Sequence, residues 1–279
     1  QRPFIYGLEM TFYESRLRIY KINPEEKYPL RFFVRGDAYK LLGFIPASRH
    51  LFGVDAPGRI YVWGGDSRGR DLFSRLLYGG RISLSIGLIG VLISFSIGLL
   101  VGGIAGYYGG IVDDILMRVC EMFMMIPGFY LLLALRAVVP PEFNSVQVYF
   151  AIIVILSFIG WASLARIIRG MCLSLKEREF VLAAKAMGMS DGAIISKHIL
   201  PHTLSYSIIA ITLSIPGYIL AESSLSLIGL GIQDPYASWG NLLAEAMSIV
   251  QIKFAPWITL PGLFIFVTVM CFNVVGDAL

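Results

Sequence analysis

Apolar residues occur in five long blocks that are separated by short polar segments. The blocks are roughly 82–106, 115–137, 147–168, 203–230 and 257–277. Each block reaches the length of about 20 residues that a helix needs to cross a hydrocarbon core. Apolar and polar residues do not alternate along them as they would in barrel strands, and backbone groups in lipid must bond within their own segment. The pattern therefore predicts an all-α polytopic membrane protein with five transmembrane helices.

Residues 1–81 follow a different pattern. Short alternating stretches such as YGLEMTF and YPLRFFV are interrupted by the turn-forming sequences INPEE and DAPG, which is typical of short strands joined by turns. One helical face near the end of this segment carries Leu72, Phe73, Leu76 and Leu77. We predict a small cap of mixed β and irregular structure that ends in a helix at the membrane interface. The transmembrane domain would then span 82–279.

Composition supports a membrane protein. The 279 residues are 56% hydrophobic and 15% charged, whereas soluble domains are about 45–50% apolar and about 25% charged. The net charge of +4 is mild, and Lys and Arg border the apolar blocks, which is typical of membrane flanks and not of nucleic-acid binding. The three cysteines are far apart and form no cluster with histidine. We therefore predict no disulfide framework, no metal site and no cofactor bound by this chain.

The distribution of basic residues predicts the orientation. Segment 166–202 contains six Lys or Arg, whereas 136–147 and 231–256 contain one each. The positive-inside rule therefore places the long polar segment at about 170–202, here called the polar loop, in the cytoplasm. Counting crossings back places residues 1–81 outside the membrane. Because the chain would then start outside, we expect a sixth, N-terminal helix upstream that is missing from this sequence.

The polar loop carries the sequence EFVLAAKAMGMSDGAIISKHILPH at 179–202. Its first part is rich in strong helix formers, and Gly188 can take the left-handed conformation that ends a helix. Ser190 or Asp191 can cap a second short helix, which Pro201 would then break. A solvated connector between two membrane helices is the alternative interpretation of this segment.

The spacing in the polar loop resembles the EAA loop of ABC-importer membrane subunits, whose pattern is Glu-Ala-Ala, three residues, Gly, nine residues and Ile-x-Leu-Pro. Leu182-Ala183-Ala184, Gly188 and His198-Ile199-Leu200-Pro201 match in order, with Leu182 in place of Glu and His198 in place of Ile. The flanking sequences GRDLFSRLLYGGRISLSIG, ESSLSLIGLGIQDPYASWGNLL and PWITLPGLFIFVTVMCFNVVGDAL resemble the second permease subunit of the dipeptide and oligopeptide (and nickel) branch of that family. The resemblance covers about 64–279.

The resemblance implies a permease subunit in the bacterial inner membrane that forms half of a pathway for ATP-driven import of peptides or peptide-like solutes. The implied partners are a second homologous permease, two ABC ATPases and an extracytoplasmic substrate-binding protein. ATP and Mg would bind to the ATPases, because this chain lacks the GxxxxGK[ST] motif. The chain is thus expected not to be an enzyme. Ile194 and Ile195 would insert as apolar knobs into a groove of the ATPase. The residues assigned to ATPase coupling are Ala183, Ala184, Gly188, Ser190, Asp191, Ile194, Ile195, Leu200 and Pro201.

Two apolar blocks carry helix breakers near their middle, at Pro127-Gly128 and at Pro216-Gly217. Such breaks are tolerated where the freed backbone groups line a cavity, and they mark transport pathways; a simple kink is the alternative. Glu222 is a carboxylate within an apolar run, and such groups usually face a cavity or a partner. We predict that these five residues line the translocation pathway. For Glu222, solvation at the membrane interface is the alternative.

Small residues recur at every fourth position of the first block, at Gly90, Ser94, Gly98, Gly102 and Gly106. This ridge predicts close packing against another helix, either of this chain or of the second permease. A phosphate-binding loop is disfavoured because no strand precedes these glycines.

Other functions remain open at this point. A permease for nickel chelates or for peptide antibiotics would have the same architecture. A channel would account for the apolar blocks but not for the polar loop. An intramembrane hydrolase is disfavoured because the sequence shows no set of Ser, His and Asp suited to that chemistry.

Overall fold

The computed structural model describes residues 3–13, 17–41 and 45–279. Contacts between residues divide the chain into two units, Gln1–Trp63 and Gly64–Leu279. The first unit contains β-hairpins, and the second is helical.

Two antiparallel hairpins make up the described part of the first unit. Strand β1 (Phe4–Tyr13) pairs with β2 (Leu17–Pro29), and β3 (Arg31–Leu41) pairs with β4 (Ile45–Gly53). Each hairpin has one shift of register, after Tyr6 in β1 and after Arg35 in β3. The stretches with alternating apolar and polar residues lie in these strands. Their position outside the membrane stays a prediction.

The second unit is built from helices of very different lengths. They are α1 (Leu72–Tyr108), α2 (Gly110–Met125), α3 (Gly128–Val138), α4 (Ser145–Leu175), α5 (Glu179–Ala186), α6 (Asp191–Ile194), α7 (Leu200–Leu227), α8 (Trp239–Ala244), α9 (Ile249–Phe254) and α10 (Leu260–Ala278). A π-helical turn, Ile195–Ile199, joins α6 to α7, and 3₁₀ turns follow α8 and precede α10.

Four helices of the described chain are long and apolar enough to cross a membrane: α1, α4, the joined helix Asp191–Leu227 and Pro256–Ala278. Helices α2 and α3 meet this requirement only together, and they are bent by 90° at their junction. The number of candidate spans is therefore four or five. The predicted span at 115–137 is not straight, because Ile126 before Pro127 is extended, as a residue before proline prefers to be.

The domain boundary predicted at residue 81 is corrected by the structure. Helix α1 begins at Leu72, where Asp71 caps it by accepting from the Ser74 amide at 2.9 Å, and continues without interruption to Tyr108. Among the described residues before Leu72, no separate interfacial helix precedes the first candidate span. The preceding segment also belongs to the helical unit, since Trp257 Nε1 donates to the Gly65 carbonyl at 2.8 Å.

Two predicted helix breaks are also corrected. Helix α7 continues through Pro216, which is buried, and packing by neighbours lets a membrane helix tolerate the freed backbone groups. Pro201 does not break the helix either, since it lies in the first turn of α7. The preceding turn is widened, with the Leu200 amide bonded to the Ile195 carbonyl, and a π turn of this kind accommodates the proline.

The ridge of small residues brings α1 against α4 and α7 of the same chain. A Cβ added to Gly106 would lie 2.6 Å from the Cβ of Cys172 on α4. A Cβ added to Gly90 would lie 2.8 Å from the ring of Tyr218 on α7. Ser94 Oγ donates to the Ser157 carbonyl at 2.7 Å. The backbones therefore approach more closely than larger side chains would allow.

We predict that Gly102→Ala destabilises the protein, because the added methyl would collide with the Ala165 carbonyl oxygen of α4. Overpacking of this kind costs about 1–3 kcal/mol, and thermal unfolding in detergent measures it. Gly170→Ala on α4 is the matched control, since its methyl would meet no atom within 4 Å and alanine favours a helix. Equal unfolding midpoints for the two variants would contradict the prediction.

Candidate functional site

The polar loop begins with α5, which ends in a specific hydrogen-bonded turn. Gly188 has a positive φ of 80°, as the sequence predicts for the end of this helix. The Gly188 amide donates to the Lys185 carbonyl at 3.0 Å, and the Met189 amide donates to the Ala184 carbonyl at 3.2 Å. These are the two bonds of a Schellman motif. They set the direction in which the chain leaves α5 and enters α6.

Ile194 of α6, which was expected to project outward, faces inward. Ile194 is fully buried and packs with Val181, Ala184, Cys172 and Ile199 in one apolar cluster. Ile195 is half-buried and lies close to α1 at Gly103. The prediction that these isoleucines are knobs for a partner is therefore wrong for Ile194, since burying it against α4 and α5 removes more apolar surface from water than exposing it.

Other apolar side chains of the polar loop are exposed instead. Leu182 is 53% exposed and Met187 is 74% exposed, both on the α5 side of the loop. Leu182 occupies the position of the motif's glutamate. This departure from the motif is the signal from which the sequence could have predicted an exposed apolar side chain here. Among the residues assigned to coupling, Ala183, Gly188, Ser190 and Asp191 are exposed, whereas Ala184 is buried. The exposed surface of the polar loop thus includes α5, the turn that follows it and the start of α6.

The ends of the long helices hold the polar loop in place. The Tyr107 hydroxyl of α1 donates to Asp191 Oδ1 of α6 at 2.7 Å. Cys172 and Leu175 of α4 contact the apolar cluster beneath α5 and α6. Near this end, Arg169 of α4 forms a two-pronged ion pair with Asp113 of α2, with Nε to Oδ1 at 2.8 Å. Sequence reasoning missed Tyr107, Asp113 and Arg169, because their partners are distant in the chain.

Glu222 lies in a buried cluster of hydroxyl groups. Its carboxylate accepts from Ser83 Oγ of α1 at 2.9 Å and from Ser226 Oγ of α7 at 2.7 Å. Ser83 Oγ in turn accepts from the Trp239 amide of α8 at 3.1 Å, and Ser226 Oγ accepts from the Ile232 amide at 3.1 Å. Glu222 is fully buried, so the interfacial solvation considered for it does not occur. It joins α1, α7 and the segment that leads into α8.

A cluster of ion pairs lies on the same loop that connects α7 to α8. Asp234 accepts from Arg70 and from Arg75, each at 2.9 Å, and Arg68 pairs with its other oxygen at 2.7 Å. Partial burial would raise the pKa of Asp234, but hydrogen bonds from Arg70 and Arg75 outweigh it and lower the pKa below the ordinary 3.8. Asp234 is therefore ionised at neutral pH and ties this loop to the start of α1.

A cavity of about 280 Å³ lies between α1, α4 and α7. Hydroxyl groups supply its polar lining, from Ser94, Ser163, Tyr206, Ser214 and Tyr218. None of the five residues assigned to the pathway belongs to this lining in the described chain. Pro127 and Gly128 are exposed at the bend between α2 and α3, and Pro216 and Glu222 are buried in helix contacts.

A comparison with known protein families identifies the family of this chain. Residues 98–279 match the family described as "Binding-protein-dependent transport system inner membrane component". The chain belongs to this family. It is therefore a multi-pass inner-membrane permease component, and the resemblance drawn from the polar loop is confirmed.

Individual relatives of this permease agree with the family. It is 40% identical over 223 residues to the dipeptide transport system permease protein DppC of Bacillus subtilis, covering 80% of this chain and 68% of that one. It is 41% identical over 220 residues to the oligopeptide permease protein OppC of Haemophilus influenzae, covering 78% and 68%. It is 40% identical over 242 residues to the glutathione permease protein GsiD of Pectobacterium atrosepticum, covering 86% and 74%.

Solved structures share the fold of this permease at low identity. An inward-facing structure of the MetNI methionine ABC transporter matches with a TM-score of 0.53 and 20% identity, covering 74% of this chain and 95% of that one. An amino acid ABC transporter with histidines matches with a TM-score of 0.52 and 17% identity, covering 74% and 92%. These likenesses concern the fold alone.

We predict that Glu222→Ala destabilises the permease more than Glu222→Gln does. Alanine removes the acceptor of two buried hydroxyls, and an unsatisfied buried polar group costs about 1–3 kcal/mol, whereas glutamine keeps one carbonyl oxygen. Thermal unfolding in detergent compares the two. Glu142→Ala, at an exposed position, serves as control. Unfolding midpoints equal to the parent's for both Glu222 variants would contradict a stabilising role of this hydrogen-bonded cluster.

Proposed function

We propose that this permease forms half of the translocation pathway of an ATP-driven importer for peptides or peptide-like solutes. The observation that carries the proposal is the polar loop. It is a rigid pair of short helices, fixed by a Schellman motif and an apolar cluster, that presents exposed apolar residues to a partner. A solvated connector would have no reason to expose Leu182 and Met187 while holding its backbone so firmly.

The proposed partners follow from this role. Two ABC ATPases bind and hydrolyse ATP with Mg, one of them contacting the polar loop of this chain through Leu182, Met187 and their surroundings. A second homologous permease supplies the other half of the pathway, and an extracytoplasmic binding protein delivers the solute. The polar loop is cytoplasmic in this arrangement and the β-hairpins are extracytoplasmic. This chain itself catalyses no reaction and holds no cofactor.

The names of the relatives support the class of solute. They denote dipeptide, oligopeptide and glutathione transport, and all of these solutes contain peptide bonds. The cavity between α1, α4 and α7 suits such solutes, because its polar lining consists of hydroxyl oxygens, which can accept hydrogen bonds and carry no charge. We assign this cavity, rather than Pro127-Gly128 or Pro216-Gly217, to the pathway within this chain. Glu222 acts on the pathway indirectly, by fixing α1 against α7.

The complex purified through a tag on this chain tests the proposal. We expect a second permease and two ATPases to co-isolate, and proteoliposomes of the complex to accumulate labelled di- and tripeptides with ATP and the binding protein. Accumulation of nickel chelates instead of peptides would change the substrate class. Solute flux that needs neither ATP nor partners would favour a channel and refute the proposal.

We predict that Gly188→Val impairs transport while the complex still assembles. Its side chain would meet no atom within 4 Å, so the effect comes from the positive φ of 80°, which costs a residue other than glycine about 1–3 kcal/mol. Gly192→Val is the matched control, because Gly192 is also uncrowded but lies in α6 without a positive φ. Uptake and ATP hydrolysis are measured together. Parental uptake by Gly188→Val would refute the role of this turn.

The proposed orientation is tested by labelling. Ser190 and Glu25 are both exposed, and each is replaced by cysteine in a chain whose exposed Cys271 is changed to serine. In cells whose outer membrane is permeabilised and whose inner membrane is intact, a membrane-impermeant thiol reagent should modify the cysteine at position 25 and not the one at 190. The reverse pattern would overturn the orientation.

A further inference from the structure

Helix α1 contacts the polar loop although no short connection joins the two. Helix α4 leads into α5 through a few residues, and α6 continues into α7 through the π-helical turn. A displacement of the polar loop therefore reaches α4 and α7 along the chain. It can reach α1 only through noncovalent contacts.

The polar contact between them is the bond from the Tyr107 hydroxyl to Asp191 Oδ1, at 2.7 Å. Tyr107 lies in the last turn of α1, which stops at Gly109 with a positive φ of 66°. Its ring is packed against the apolar cluster under α5 and α6. Asp191 is the first residue of α6. A bond to an ionised carboxylate is stronger than one between neutral groups, so α1 is held to the start of α6.

A second polar contact of α1 lies in the N-terminal third of the helix. Ser83 donates to Glu222 and accepts from the Trp239 amide that begins α8. The helix is uninterrupted between Ser83 and Tyr107, a distance of about 36 Å at 1.5 Å per residue. The small-residue ridge lies between these two points and keeps α1 closely packed on its neighbours. A continuous helix with polar contacts at these two points can carry a displacement from one to the other.

We propose that Tyr107 is a positioning residue that makes α1 follow the polar loop, so that movement of α6 reaches the Ser83–Glu222 cluster and α8. The inference rests on the function proposed above. Tyr107 touches neither solute nor nucleotide in this scheme. Its loss should therefore change how much solute moves for each ATP, and leave assembly and ATP hydrolysis in place.

The test uses Tyr107→Phe, which keeps the packed ring and removes the hydroxyl. The control is Tyr108→Phe, because Tyr108 is the next residue, is 53% exposed and packs edge-on against Tyr107. Intact complexes are reconstituted in proteoliposomes, and peptide uptake is divided by ATP hydrolysed. We expect this ratio to fall about tenfold for Tyr107→Phe, as expected for a lost bond to a charged group. We expect the parental ratio for Tyr108→Phe.

Substitutions of Asp191 examine the same bond from its other side. Asp191→Asn keeps an acceptor oxygen but loses the charge, so it should lower the ratio less than Asp191→Ala, which should act as Tyr107→Phe does. The double variant Tyr107→Phe with Asp191→Ala should have the same ratio as either single variant, because both substitutions remove the same interaction.

The outcomes separate the possible failures. Three outcomes would each overturn the inference. The first is a parental ratio of uptake to ATP hydrolysed in Tyr107→Phe, and the second is a loss of assembly and ATP hydrolysis as large as the loss of uptake. The third is additive effects in the double variant. Absence of ATP-driven uptake by the parent complex would instead refute the proposed function on which it rests.

Discussion

Close contact between α1 and its neighbours is the constraint on which the membrane part of this permease depends. Lipid offers no hydrophobic driving force between helices, so their association relies on van der Waals contact and on buried polar bonds. Glycines on α1 permit that contact at Gly90, Gly98, Gly102 and Gly106. The serines on the same helix add hydrogen bonds to it. The polar loop and the Glu222 cluster are both positioned by contacts with α1 and α7.

The same contact explains how ionisable groups are accommodated between the helices. Glu222 is fully buried, and a buried charge is costly unless its oxygens accept hydrogen bonds. Ser83 can reach it only because Gly79, Gly80 and Gly87 let α1 approach the chain that follows α7 and α7 itself. Asp113 and Arg169 satisfy each other in a similar way between α2 and α4. Ser83 thus ties α1 to α7, and Asp113 with Arg169 ties α2 to α4.

The polar loop depends on this framework for its own shape. Helix α6 is only four residues long and continues through the π-helical turn into α7. The Schellman turn at Gly188, burial of Ile194 and the bond from Tyr107 together hold it. The exposed apolar side chains of the polar loop therefore include Leu182 and Met187, on α5 and its turn, and do not include Ile194.

Local constraints let the sequence by itself determine the membrane character and the turn at Gly188, and the motifs of the polar loop indicate the family. Blocks of apolar residues must form helices in lipid, and Gly188 is needed where the chain takes a positive φ. Tertiary packing decided the rest. Pro127 and Pro216 look alike in sequence, yet the exposed one bends the chain by 90° and the buried one remains inside α7. Ile194 turned inward, Glu222 found Ser83 at a separation of 139 residues, and Tyr107 found Asp191 at a separation of 84. Contacts between positions so far apart have no local signature, because they depend on how whole helices pack and not on the preferences of the residues beside them.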